Sequence, residues 1–276
     1  MIRRKATSAK ATDEADVRDG GVQSVDRALS IIEVLAEDDE GYRLTDLAVR
    51  TGLSTSTVHR LLATLEKRRF VQFDRTESKW HVGAQSFAVG ATFTRRRNFT
   101  AQAMPYLRKL RDLTRETANL AVVDDESIIV LTRMESREIM RSLTKVGCRV
   151  AMVASGVGKA VLATYSDADV NAIICRQGMP RLTEKSIVRP GELFRELQTI
   201  RRQGYAVDDE EARMGLRCVA AVVYNDCSEP LAAISVSGMT SRVTEARVAD
   251  LGRTVCEVAA ELTVALGGVV PEAKSS

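Results

Sequence analysis

The run Leu53-Ser54-Thr55-Ser56-Thr57-Val58-His59-Arg60-Leu61-Leu62 lays out a short helix with a marked start. Ser54 is placed to cap it by accepting a free backbone N–H of the first turn. Val58, Leu61, Leu62 and Leu65 recur at helical spacing as an inward stripe, so a helix is predicted over 55–68. Thr55, Ser56, Thr57, His59 and Arg60 fall on or near its outward side. Just upstream, Leu44, Leu47 and Ala48 form the apolar stripe of a second short helix over 44–51, and Gly52 stands where a C-cap wants a left-handed residue. Two short helices joined by Gly-Leu-Ser make a helix-turn-helix. In that motif the start of the second helix meets base edges in the major groove, where Ser and Thr donate or accept and Arg pairs with guanine. A plain αα-hairpin has the same outline, so the next segment decides.

That segment is a hairpin. Phe70-Val71-Gln72-Phe73 alternates as a strand, 74–78 is a polar turn, and Lys79-Trp80-His81-Val82 returns before Gly83. A helix-turn-helix followed at once by a basic-tipped hairpin reads as a winged helix. Lys67, Arg68, Arg69, Arg75 and Lys79 are candidate phosphate contacts, which position a protein on DNA without reading sequence. Thr45, Ser54, Thr55, Ser56, Thr57, His59 and Arg60 complete the candidate DNA-binding set. Trp80 reads as a packing anchor of the wing rather than a base stacker. A further amphipathic helix is predicted over 25–35, with Val25, Ala28, Leu29, Ile32 and Leu35 on one face.

Charge supports this reading. The net charge is +3, but residues 53–98 carry 9 basic against 3 acidic side chains, whereas residues 99–276 carry 23 of each. The expected organisation is a flexible tail at 1–21, a winged helix-turn-helix at 22–83, a linker helix at 84–99 ending in Arg95-Arg96-Arg97, a second domain at 100–268 and a tail at 269–276.

The second domain mixes helices and strands. Helices are predicted over 104–117, with Pro105 near the start, and over 156–164, 167–176, 192–203 and 243–266. Strands are predicted over 119–123, 127–134, 139–143, 219–224 and 231–237. The fold class is therefore α+β, with an antiparallel sheet in the larger domain.

Composition narrows the function. Hydrophobic residues make up 45% of the 276, enough for buried cores, and no apolar run approaches the roughly 18 residues of a membrane span. The polar start of the chain lacks the apolar stretch of a secretory signal, so a cytoplasmic protein is expected. The five cysteines (Cys148, Cys175, Cys218, Cys227 and Cys256) are scattered, which fits reduced thiols better than a disulfide framework or a zinc site. The two histidines, His59 and His81, both lie in the DNA-binding part, leaving the larger domain no imidazole for a triad, a general base or a metal. No catalytic residue, cofactor or metal ligand is therefore assigned. Gly156-Val157-Gly158-Lys159-Ala160 imitates a phosphate loop but lacks its first glycine (Val153) and its hydroxyl after the lysine (Ala160). As a helix start after Ser155 it is either a small-anion site or a capped structural turn.

With these motifs assembled, the chain resembles the IclR family of bacterial regulators. The resemblance rests on Val25-Asp26-Arg27-Ala28-Leu29, the run from Leu53 to Leu62, Ser155-Gly156-Val157-Gly158-Lys159-Ala160 and Asp208-Asp209-Glu210-Glu211, followed by Gly215-Leu216-Arg217-Cys218-Val219-Ala220-Ala221 and Ala233-Ile234-Ser235-Val236-Ser237-Gly238. It implies a winged helix-turn-helix, a GAF-like effector-binding domain, homodimers that pair into tetramers, double-stranded operator DNA as partner, and a small carboxylic-acid effector. Around the pocket the likeness is to the branch that governs the glyoxylate bypass, which implies glyoxylate or pyruvate. The effector-contacting positions carried over are Gly156, Val157, Asp208, Leu216, Cys218, Ser235 and Ser237. Spacing agrees with part of this: Ser235 and Ser237, two apart on a strand, share one face. Asp208 is awkward beside an anion and is assigned to a keto hydrate, a water or a backbone clasp. Two alternatives stay open: a constitutive DNA binder with a vestigial sensor domain, and an enzyme fused to a DNA-binding domain.

Overall fold

Gly52 takes φ +67° and ends α2 (Leu44–Thr51) in the left-handed conformation that a residue with a Cβ resists. Two residues later the Ser54 hydroxyl accepts the N–H of Thr57 at 3.3 Å and opens α3 (Thr55–Lys67). This and the remainder of the description come from a computed structural model that describes residues 22–96, 99–124, 127–136 and 145–271. The expected tail at 1–21, the expected strand at 139–143, the turn at 125–126, Arg97 and residues 272–276 lie outside the described residues. By its internal contacts the chain divides into two compact units, up to Ala91 and from Thr92 onward.

In the first unit α1 (Gln23–Leu35), α2 and α3 close on a core of Ile31, Leu35, Leu47, Val58 and Leu62. The antiparallel hairpin β1 (Val71–Asp74) and β2 (Lys79–Val82) joins that core through Val71 and Trp80. Trp80 also exchanges backbone hydrogen bonds with Tyr42, at 2.8 and 3.0 Å. It is therefore the buried anchor of the wing. The inward face of α1 departs from expectation. Ile31 and Leu35 are buried, whereas Val25 and Leu29 are 54% and 53% exposed. The apolar stripe of α1 is wider than the core it serves, and part of it faces outward.

The next helix, α4 (Ala84–Arg96), is described up to Arg96, and α5 (Phe99–Thr114) begins earlier than expected. Pro105 thus lies inside α5 rather than at its start. Ala103, Leu107 and Leu110 of α5 are buried against the sheet and against α9 (Glu245–Ala265), packing that offsets the backbone hydrogen bond a proline removes.

The second unit is built on one antiparallel sheet. Its strands are β3 (Thr117–Asp124), β4 (Ser127–Met134), β5 (Arg149–Val150), β6 (Ala206–Asp209), β7 (Leu216–Tyr224) and β8 (Pro230–Met239), in the order β5-β4-β3-β8-β7-β6. The central strands β3, β8 and β7 are buried on both faces and read as near-continuous apolar runs. One face carries α5 and α9. The other carries α6 (Gly156–Leu162), α7 (Asp167–Gln177) and α8 (Pro190–Gln203). Among the described residues, no helix is long and apolar enough to cross a membrane.

Candidate functional site: an exposed recognition helix and a polar seam on the sheet

In the first unit the hydroxyl residues cluster at the start of α3. Ser54 Oγ lies 3.1 Å from Ser56 Oγ and 2.9 Å from Thr57 Oγ1. Ser54, Thr55, Ser56, His59 and Arg60 are exposed, while Val58 behind them is fully buried. Lys67, Arg68, Arg69 and Arg75 are exposed as well, and so is Thr45 on the first turn of α2. Lys79 is half-buried and pairs with Glu77 at 3.3 Å. A groove runs between α3 and the hairpin, lined by His59, Ala63, Glu66, Phe73 and Arg75. Such a face offers charge at its edges and small hydroxyls at its centre, which suits close approach to a duplex.

In the second unit strand register gathers the candidate effector residues. One row across the sheet pairs Asp208 with Cys218, Cys218 with Ser237 and Ser237 with Thr117. The next row pairs Ala220 with Ser235 and Ser235 with Asn119. All these side chains point to the α6 face, because their strand neighbours Val219, Val236, Ala118 and Leu120 belong to the core under α5 and α9. The result is a polar seam in an otherwise apolar layer.

The start of α6 sits on this seam. A Cβ built on Gly156 would stand 3.1 Å from Cys218 Sγ, so the absence of a side chain permits the close approach. Gly158 is tighter still, with a Cβ falling 2.2 Å from the Met152 carbonyl oxygen. Ser155 Oγ donates to the Ala151 carbonyl at 2.6 Å and accepts from Gly158 N–H at 3.1 Å. The Gly156 and Val157 N–H groups precede any intrahelical partner. Ser235 is buried, Ser237 keeps some exposure, and Leu216 is half-buried two residues before Cys218 on β7.

Electrostatics set the state of each group. Burial pushes the Cys218 thiol up to about 12, with the nearby Asp208 charge adding to the rise, so this sulfur stays a thiol at neutral pH. Its residue keeps some surface although the thiol itself is enclosed, and the enclosure governs the titration. Burial also raises Asp208, opposed by the N–H groups of Ala212 and Glu211 that donate to its Oδ1 at 3.2 and 2.8 Å. Asp208 Oδ1 thus holds two backbone N–H groups of the segment that follows β6.

Two residues of the site escaped the sequence reading. Asn119 donates through Nδ2 to Ser235 Oγ at 3.3 Å and to Ser237 Oγ at 3.1 Å. An Asn within the apolar run 118–123 was the available signal. Lys159 is 0% exposed, and its Nζ contacts Glu196 Oε1 at 3.2 Å and, more closely, Glu211 Oε1. This lysine points into the protein between two carboxylates, a geometry unlike that of a phosphate-loop lysine. Among the described residues no His, Cys, Asp or Glu group is arranged to hold a metal ion.

Comparison with known proteins agrees with both halves. The model of the IclR helix-turn-helix domain matches residues 24–75, and that of the bacterial transcriptional regulator IclR C-terminal region matches residues 91–264. The acetate operon repressor of Salmonella typhimurium is 41% identical over 251 residues, covering 90% of this chain and 92% of the relative. The transcriptional repressor IclR of Escherichia coli is 40% identical over 252 residues, covering 91% and 92%. Among solved structures, the IclR transcriptional regulator of Alicyclobacillus acidocaldarius superposes with a TM-score of 0.76 at 26% identity, covering 90% of this chain and all of the other. These relatives regulate transcription and are not enzymes. With both family models matched in order, and relatives alike over nine-tenths of its length, this chain belongs to the IclR family of DNA-binding transcriptional regulators.

Proposed function

We propose that this regulator controls a metabolic operon as a cytoplasmic homodimer, and that it senses a small carboxylic or keto acid such as glyoxylate or pyruvate. The observation that carries the sensor reading is the polar seam: Asp208, Cys218, Ser235 and Ser237 lie on one sheet face, with Gly156 close against Cys218. The serine hydroxyls and the first amides of α6 are the hydrogen-bond donors for a carboxylate. An acetate operon repressor among the relatives is in keeping with control of a metabolic operon.

On the DNA side, Thr45, Ser54, Thr55, Ser56, Thr57, His59 and Arg60 read base edges, and Lys67, Arg68, Arg75 and Lys79 contact phosphates. Dimer symmetry supplies two such faces and requires a near-palindromic operator. The exposed apolar side chains Val22, Val25 and Leu29 on α1 and Phe87 on α4 offer surface for the partner subunit. Two dimers pair into the tetramer.

Fluorescence anisotropy with DNA from upstream of the protein's own gene tests the regulator reading. A saturable, sequence-specific complex at moderate salt is expected, and binding no tighter than to random DNA would refute it. Calorimetry with glyoxylate, pyruvate and related acids tests the sensor reading. Silence across the panel would favour the vestigial-sensor alternative.

A further inference from the structure

Asn119 is 5% exposed, and its amide hydrogen-bonds both serines of the seam. Its Nδ2 has two protons. One is directed to Ser235 Oγ at 3.3 Å and the other to Ser237 Oγ at 3.1 Å. Both serine oxygens therefore accept from the amide, and their own protons must point elsewhere. The Ser235 hydroxyl has the Cys218 sulfur beside it, and Ser237 is the half-open end of the pair. The other end of the amide is different. Asn119 Oδ1 is buried and accepts no hydrogen bond from the described residues. A buried carbonyl oxygen without a donor among the protein's own groups forgoes hydrogen-bond energy.

The geometry points to Asn119 as the residue that sets ligand specificity, by reading a hydroxyl on the carbon next to the ligand carboxylate. This rests on the seam being the acid pocket proposed above and goes one step further. The serine protons, turned outward by the amide, donate to the carboxylate. The unsatisfied Oδ1 accepts from a ligand O–H. The favoured chemical class is then a short 2-hydroxy acid, or an aldehyde acid in its hydrated form, whose carbon bears hydroxyls. A short acid with no O–H beside its carboxylate leaves Oδ1 as unsatisfied as before.

Calorimetry on the full-length protein with two matched pairs tests this: glycolate against acetate, and lactate against propionate. In the wild-type protein the hydroxy member of each pair is expected to bind about tenfold tighter. In Asn119→Leu that ratio should fall to near one, with the unfolding transition and operator binding retained. Equal affinity within each pair in the wild-type protein overturns the inference even if the variant fails to fold, and leaves the acid pocket itself standing. A hydroxyl preference that survives in Asn119→Leu also overturns it, because another group then reads the hydroxyl. Absence of binding for all four acids, and for glyoxylate and pyruvate, instead removes the pocket on which the inference rests.

Discussion

Asp208 Oδ1 accepts the backbone N–H of Glu211 at 2.8 Å, which folds the end of β6 back against the segment that leads to β7. An Asp208→Ala protein loses that acceptor and leaves two donors unsatisfied, and should be less stable by about 1–3 kcal/mol. Asp208→Asn keeps an acceptor at the same place and should lose at most about half of that. Urea unfolding measures both, and equal losses would contradict the clasp.

Burial raises Asp208 above its ordinary value of 3.8. The folded state therefore holds this proton more tightly than the unfolded chain does. The stabilisation is full below the ordinary value and is lost as pH rises through the raised one. The same sign governs an anion bound nearby. Protonating Asp208 removes a negative charge, so affinity for glyoxylate should increase as pH is lowered from neutrality toward the ordinary carboxylate range. Calorimetry at several pH values in wild-type and Asp208→Asn proteins checks this, the variant giving the flatter profile. Parallel profiles would assign the dependence to another group.

Lys159 is enclosed with Glu211, whose second carboxylate oxygen has no hydrogen-bond partner among the described residues. Lys159→Met leaves that carboxylate buried without its cation and should cost about 3–5 kcal/mol of unfolding free energy. Adding Glu211→Gln removes the stranded charge and should recover a substantial part. Additive losses in the double variant would show that the two side chains do not act as a pair.

The punctuation of the DNA-binding unit was legible because it is local. Gly52 and Ser54 fix where one helix ends and the next begins, whatever surrounds them. The partners across the sheet were not. Ala206-Val207-Asp208-Asp209 is too short and too acidic to announce itself as a strand, and it becomes one by pairing with β7. Val25 and Leu29 have the right period to face a core, and periodicity alone does not say which part of a wide stripe the neighbours cover. Of the sensor residues, Ser235 and Ser237 were readable as a same-face pair from strand spacing. Gly156 and Val157 were readable as a helix start after Ser155, Asp208, Leu216 and Cys218 were assigned through family likeness, and register then brought Asp208, Cys218 and Ser237 into one row. Asn119 and Lys159 draw their roles from residues more than 35 positions away in the chain, which no local pattern encodes.

On the DNA side, Arg60 and Arg75 separate base reading from phosphate contact. Arg60→Ala should weaken operator binding by about 1–3 kcal/mol while sparing random DNA. Arg75→Ala should weaken both and lower the salt slope by about 1. Anisotropy titrations across a salt series measure both variants, and an equal loss on operator and random DNA for Arg60→Ala would exclude base reading.

The central claim is that an acid held on the seam alters the grip of the other unit on DNA. It is tested most directly by measuring operator affinity with and without saturating glyoxylate, in the wild-type protein and in Ser235→Ala/Ser237→Ala. Because an effector acts through its differential affinity for two states, a shift of at least about fivefold is expected in the wild-type protein. The double variant should bind the operator normally and show no shift. An identical shift in both proteins, or operator affinity unmoved by glyoxylate, pyruvate and short hydroxy acids alike, would contradict the account.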